Sequence, residues 1–533
     1  MCPANLRSQR SSQGTLGSRA KALDVRSRLR AGATAALLFA LTCITGARAD
    51  DPPLPLPPTA TSVTHHVVSL ANATLRYTVT AGRIVLVDKR GEPAASMFSV
   101  AYTCDGFAHA QRPVAFLWNG GPGSSSLWLH MGSFGPLRVA TNDTGTVVPP
   151  GRLVPNDGTL LDTTDLVFID APGTGFSRIG AKGTKEQFYG VDQDARAFTQ
   201  FIERWLTQND RWGSPKFLIG ESYGTTRAAN VVDRLQSDGV GINGVVLVSS
   251  ALNLTALDPA LPGDEMSNIS FLPTEAAVAW YHNALPGTRP AQLEPFLAQV
   301  RDFARGPYAT ALLRGDALDE ATRRDMVAQL HRFTGLDEAY IDRADLRIDP
   351  TRFEKELLRD RRELTGRLDG RFTGYDLDRN SDSPAYDPTL DAGIADAFVG
   401  EFNRYIRDDL HFVTDDRYLP TNYPEIGPAW NLTRDATDVG LPQVSLPNVL
   451  PDLAQALTRN PALRVFSANG YFDLATPFFG TEKDLHHLEL DPALRSHITF
   501  GYYPSGHMIY LEPASRRALR TDIEAFMRSA LPK

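Results

Sequence analysis

Residues 217–224 read Phe-Leu-Ile-Gly-Glu-Ser-Tyr-Gly, an apolar run followed by a serine with glycine two residues to either side. A serine raised on a sharp strand-to-helix turn needs that spacing, because side chains at the flanking positions would collide. The turn holds the hydroxyl at the sheet edge and aims the next helix N-terminus at a developing oxyanion. The five-residue pattern occurs often by chance, and an ordinary tight turn is the alternative. Its place directly after a buried strand gives it weight, so Ser222 is the expected nucleophile.

Working outward, near-continuous apolar runs recur at Val114-Ala115-Phe116-Leu117-Trp118, Leu166-Val167-Phe168-Ile169 and Val245-Val246-Leu247-Val248. Such runs are the mark of parallel strands covered on both faces. Residues 193–206 and 225–235 are expected to be crossover helices between them. Upstream, residues 62–100 alternate short β-branched runs with turn signals, as at Arg83-Ile84-Val85-Leu86-Val87, which predicts antiparallel strands opening the sheet. After Ser250 the texture becomes helical, with Phe402, Tyr405, Ile406 and Leu410 on one face. Sheet texture returns at Leu463-Arg464-Val465-Phe466 and Ile498-Thr499-Phe500-Gly501-Tyr502, and a closing helix is expected over 514–531. The charged run 359–363 reads as a solvated helix face.

Five segments follow: a signal peptide at 1–49, a Pro-rich linker at 50–61, a first core part at 62–250, a helical cap insertion at 251–440 and a second core part at 441–533. The signal reading rests on Arg26, Arg28 and Arg30 before an apolar run from Ala31 to Ile44, closed by Ala47-Arg48-Ala49. That pattern predicts export by cleavage after Ala49 to a secreted or periplasmic location, with an organelle transit peptide or retained anchor as alternatives. The run is too short to span a bilayer comfortably. The chain of 533 residues has a formal charge of −8, and without the first 49 residues 46 basic face 61 acidic side chains. Nucleic acid and anionic membranes are therefore poor candidate partners. Of the three cysteines only Cys104 lies beyond the leader, so stability must come from the core rather than from internal disulfides.

The loop Trp118-Asn119-Gly120-Gly121-Pro122-Gly123-Ser124-Ser125 leaves a strand end with almost no side-chain bulk. It can bring amides to an oxyanion, and no Lys-Ser/Thr pair closes it as a phosphate loop would require. Gly121 and Tyr223 N–H are the expected oxyanion donors. An acid and a histidine should follow the serine in that order. Asp473, after the strand ending at Phe466, and His507, in Ser505-Gly506-His507-Met508, meet that order in loops at strand ends. No cofactor is expected, and His65-His66 and His486-His487 lack metal-ligand spacing.

Together WNGGPGSSS (118–126), FIDAPGTGFS (168–177), GESYG (220–224), NGYFD (469–473) and SGHM (505–508) resemble the serine carboxypeptidase family in order and spacing. The fold expected is the α/β-hydrolase fold, a central mostly parallel sheet with an inserted, mainly helical cap. The resemblance implies hydrolysis of the C-terminal residue of a peptide, with peptides bearing a free C-terminus as partners. It implies that Asn119 and Glu221 hold the substrate carboxylate, and that the 170–177 segment is a structural loop. Two carboxyl groups bond only if one is protonated, which implies an acidic working pH. Glu221 paired with an internal base such as Arg227 is the alternative; Arg227 itself is either a carboxylate anchor or half of a structural ion pair.

The chain departs from the family at Ser133, where a second Glu is usual. No acid occurs between Gly106 and Asn142, and Trp128 or His130 is then expected to reshape the subsite. Ser124 stands where the family has Cys, consistent with lost disulfides. Two further readings stand beside a serine carboxypeptidase: an esterase or acyltransferase on the same triad, and a non-catalytic binding protein on the same scaffold.

Overall fold

The computed structural model describes residues 55–70, 73–108, 111–142, 144–257, 263–434 and 447–531. The expected signal peptide, its cleavage point and the start of the linker lie outside the described residues. One sheet carries the fold. Its strands, numbered along the chain, are Thr61–Ser69 (β1), Thr74–Val87 (β2), Pro93–Cys104 (β3), Val114–Trp118 (β4), Asp165–Ile169 (β5), Lys216–Ser222 (β6), Gly244–Ser250 (β7), Arg464–Gly470 (β8) and Ile498–Tyr503 (β9). They lie in the order β1-β2-β3-β5-β4-β6-β7-β8-β9, with a two-residue strand, Arg178–Ile179, beside β3. β1 to β3 form an antiparallel opening, and β3 meets β5 antiparallel. From β5 to β9 every pairing is parallel.

The apolar runs are continuous because both faces of the parallel strands are covered. In β4, Ala115 and Leu117 enter the core that also holds Leu519, Ile523 and Phe526. Val114, Phe116 and Trp118 point the other way, into the core with Phe198, Phe201 and Trp205. The covering helices used below are Val191–Gln208 (α1), Tyr223–Ser237 (α2), Tyr423–Ala429 (α3) and Pro513–Ala530 (α4). α1 buries Ala195, Phe198, Phe201, Ile202 and Trp205, a single stripe at helical spacing, against the sheet. This is an α/β-hydrolase fold. Cys104 is buried and unpaired.

Between β7 and β8 the regular elements among the described residues are helices apart from a short antiparallel hairpin, Glu363–Thr365 with Thr373–Tyr375. They serve two cores. Leu272, Val278, Leu297, Leu330 and Phe353 build a separate one with Phe472 and Phe478. Phe398, Phe402, Tyr405, Ile406 and Leu410 instead join the sheet-face core with Phe98, Tyr102 and Phe168. Helical spacing shows that a stripe is covered; it carries no information about the partner.

Buried charge at the base of the sheet is tied to one carboxylate. Asp165 at the start of β5 accepts from Arg112 Nε at 2.7 Å, Arg211 Nη1 at 2.7 Å and the Cys104 amide at 3.0 Å, and all three charged side chains are buried. Removing one member of a buried pair leaves the other charge uncompensated, at about 3–5 kcal/mol. Asp165→Ala should lose stability on that scale in a denaturant titration, and a loss near zero would show the guanidinium groups re-solvated.

Candidate active site

β6 ends on Ser222, whose backbone sits at φ 61, ψ −132, a conformation that L side chains rarely adopt. The glycines around it are sterically required. A Cβ at Gly220 would lie 2.1 Å from the Gly224 carbonyl oxygen, and one at Gly224 would lie 2.9 Å from Trp118 Cδ1. A Cβ at Gly120 would lie 2.4 Å from the Tyr223 nitrogen, so the glycine loop rests directly on the start of α2. Trp118 Nε1 donates to the Gly224 carbonyl at 2.8 Å and ties the two segments. Gly121 at φ +116 follows this contact. The expected oxyanion donors thus belong to two touching stretches of backbone. The 170–177 loop braces them: buried Asp170 accepts from Ser126 N at 2.9 Å, Phe176 N at 3.3 Å and Tyr418 Oη at 3.2 Å. Burial pushes the Asp170 carboxyl up to about 6 despite these bonds.

Asp473 and His507 meet. His507 Nδ1 lies 2.8 Å from Asp473 Oδ2. An ionised carboxylate only accepts, so Nδ1 carries the proton and Nε2 of the neutral ring is left as an acceptor. Asp473 is fully buried and also accepts from the amides of Ala475 at 2.8 Å and Thr476 at 2.9 Å and from Thr476 Oγ1 at 2.7 Å. Burial disfavours imidazolium, but Asp473 and then Glu221 outweigh it and hold His507 above its ordinary value. The His507 loop is tied to β7, the strand beside β6. Ser250 on β7 is the partner of Ser222 on β6, and the register shifts between Val248 and Ser250. That irregularity lets Ser249 Oγ donate to the His507 carbonyl at 2.7 Å.

Asn119 and Glu221 also meet. Asn119 Nδ2 donates to Glu221 Oε1 at 2.8 Å, and Asn119 Oδ1 accepts the Leu129 amide at 2.9 Å. Glu221 Oε2 is buried without a hydrogen-bond partner. Burial raises this carboxyl to about 7, against the attraction of His507. Arg227 is not its partner. It pairs with Asp194 at 2.7 Å, donates to the Asn119 carbonyl at 2.7 Å and lies over the Phe198 ring, so it is a structural ion pair holding the loop. Nor does His130 line a subsite: it is stacked on Phe168 and bonded to Tyr102 Oη at 2.6 Å within the core. Trp128 donates to Ser124 Oγ at 3.0 Å, and Ser133 Oγ donates to the Leu129 carbonyl at 2.6 Å.

Several supporting residues were not singled out from the sequence. Thr476 could have been, since Asp473-Leu-Ala-Thr476 has the spacing of a local side-chain turn. The inserted residues gave no such signal. Leu368 accepts the His507 amide at 2.6 Å, and Asp369 accepts the Gly506 amide at 3.0 Å while bonded to Arg371. Farther along, Pro420 accepts Ser125 N at 2.9 Å and Asn422 N donates to the Gly123 carbonyl at 2.7 Å. Trp430 meets Tyr223 edge-on at 5.4 Å. The α3 segment therefore covers the glycine loop. Among the described residues no helix is long and apolar enough to cross a membrane.

Residues 86–253 match the serine carboxypeptidase family model. That stretch contains Asn119, Gly121, Glu221, Ser222 and Tyr223; Asp473 and His507 lie beyond it. A pheromone-processing carboxypeptidase of Aspergillus niger is 29% identical over 144 residues, 27% of this chain and 22% of the relative. One of Neosartorya fischeri is 34% identical over 118 residues, 22% of this chain and 17% of the relative. The match thus spans about a fifth of the length of these curated relatives. The crystal structure of a prohormone-processing carboxypeptidase from Saccharomyces cerevisiae superposes with a TM-score of 0.52 at 16% identity, covering 85% of this chain and 91% of that one. At that identity the likeness is one of fold.

If the site is assembled as the geometry indicates, Ser222→Ala should abolish labelling by an organophosphonate; stoichiometric labelling of the variant would place the nucleophile elsewhere. Gly120→Ala should cost about 10²–10³-fold in kcat by displacing an oxyanion donor, read against unchanged secondary structure by circular dichroism.

Proposed function

We propose that this chain, whose residues 86–253 match the serine carboxypeptidase family model, is an exported enzyme that removes C-terminal residues from peptides. Ser222 attacks the scissile carbonyl carbon while His507 Nε2 takes the hydroxyl proton. Asp473 fixes the tautomer and stabilises the imidazolium. The oxyanion forms opposite the Gly121 and Tyr223 amides. The C–N bond then breaks, the imidazolium protonates the departing amine of the C-terminal amino acid, and an acyl-enzyme remains on Ser222. Water, deprotonated by the same imidazole, hydrolyses that ester and restores the serine.

The observation that carries the exopeptidase reading is the buried Asn119–Glu221 pair beside the nucleophile, with Glu221 Oε2 unpartnered. A neutral carboxyl there donates to a substrate carboxylate; an ionised one repels it. Export rests on the basic, apolar and small-residue pattern of the first 49 residues. Ser133, committed to the Leu129 carbonyl, favours a second reading as an esterase or acyltransferase. Product analysis with and without added alcohol or amine acceptors separates the two.

Peptides with a free C-terminus should be cut far faster than their amides, as read by mass spectrometry of a peptide library; equal rates would leave a general hydrolase. The pH dependence has two limits. His507 must be neutral, which fails as pH falls below its raised value, and Glu221 must be protonated, which fails as pH rises above about 7. The working range therefore lies between these two limits, close to neutral pH. Glu221→Gln keeps a donor at every pH, so it should retain peptidase activity and extend the alkaline limb of kcat/KM. An unchanged profile would remove Glu221 from substrate binding.

A further inference from the structure

We propose that Tyr510 is a third hydrogen-bond donor to the substrate α-carboxylate, beside Asn119 and Glu221, and sets the preference for a free C-terminus. The assignment rests on the carboxypeptidase reading and deepens it. Tyr510 lies on the short turn Ile509–Leu511 that follows His507, and its side chain is fully buried. Its ring lies across Gly132, where a Cβ would come within 2.6 Å of Tyr510 Cε2. Its hydroxyl faces the Glu221 carboxyl and the Asn119 amide.

Two buried polar atoms at this point, Tyr510 Oη and Glu221 Oε2, lack a hydrogen bond of good geometry and face each other across the site. Buried polar groups are usually paired, so two adjacent exceptions beside the nucleophile point to a place completed by something bound. The neighbouring groups are already committed. Ser133 Oγ serves the Leu129 carbonyl, His130 serves Tyr102, and Asn119 Oδ1 serves the Leu129 amide. Asn119 Nδ2 donates one proton to Glu221, and the amide also faces the Tyr510 hydroxyl. Three donors therefore converge: one amide proton, the neutral Glu221 carboxyl and the phenol. A carboxylate offers about four lone-pair sites and so accepts all three. Tyr510 differs from Glu221 in that burial raises its hydroxyl well above the usual phenol range. It thus remains a donor at pH values where Glu221 has ionised.

Tyr510→Phe removes only the hydroxyl that faces Glu221 and Asn119. In the full-length enzyme, KM for a free-acid peptide should rise about 10- to 100-fold, the scale of a lost hydrogen bond to a charged group. kcat should move much less, and the ratio of free-acid to amidated substrate should fall with KM. Competitive inhibition by N-acetyl-leucine should weaken by a similar factor. Gly132→Ala, which displaces the ring, should move KM in the same direction. A wild-type enzyme that prefers free acids, with a Tyr510→Phe variant that keeps both the preference and KM, would overturn the assignment alone. A wild type without that preference overturns the carboxypeptidase reading, and this assignment with it.

Discussion

The contact of backbone on backbone between the glycine loop and the nucleophile turn is the constraint on which the site depends. Gly120 leaves no room for a single carbon against the Tyr223 amide, and Gly220 and Gly224 leave none on either side of Ser222. With side chains excluded, two stretches of main chain about a hundred residues apart come into direct contact. The strained serine backbone is tolerable because β6, α2 and the loop each hold it independently.

Several charges inside the molecule are balanced in pairs. Asp165 balances Arg112 and Arg211, Asp194 balances Arg227, and Asp473 balances a protonated His507. The Arg227 pair also grips the Asn119 carbonyl, so a structural charge cluster indirectly sets the position of a proposed binding residue. Glu221 is not balanced in this way. It is as deeply buried as the others but is bonded to an amide and faces a phenol, and desolvation outweighs these and the attraction of His507.

The residues between β7 and β8 do more than cover the sheet. Leu368 and Asp369 hold the histidine loop by its amides, and the 420–430 stretch lies on the glycine loop and Tyr223. Their contribution to the site is mainly through main-chain carbonyls and amides. Such contacts leave almost no trace in residue identity, which explains why they were not anticipated.

What residue order alone determined is the part set by sterics and periodicity over short distances: two-faced strands, amphipathic α1 and α4, the glycine-flanked serine and the small-residue loop. Each needs only neighbours within a few positions. What the tertiary structure alone decided is the choice of partner. Arg227 lies six residues from Glu221 yet pairs with Asp194, His130 turns into the core rather than toward the substrate, and Tyr510 meets Glu221 from the far end of the chain. A side chain's chemistry restricts the kinds of partner it accepts, but which one it meets depends on where the sheet and its packed layers bring distant segments together.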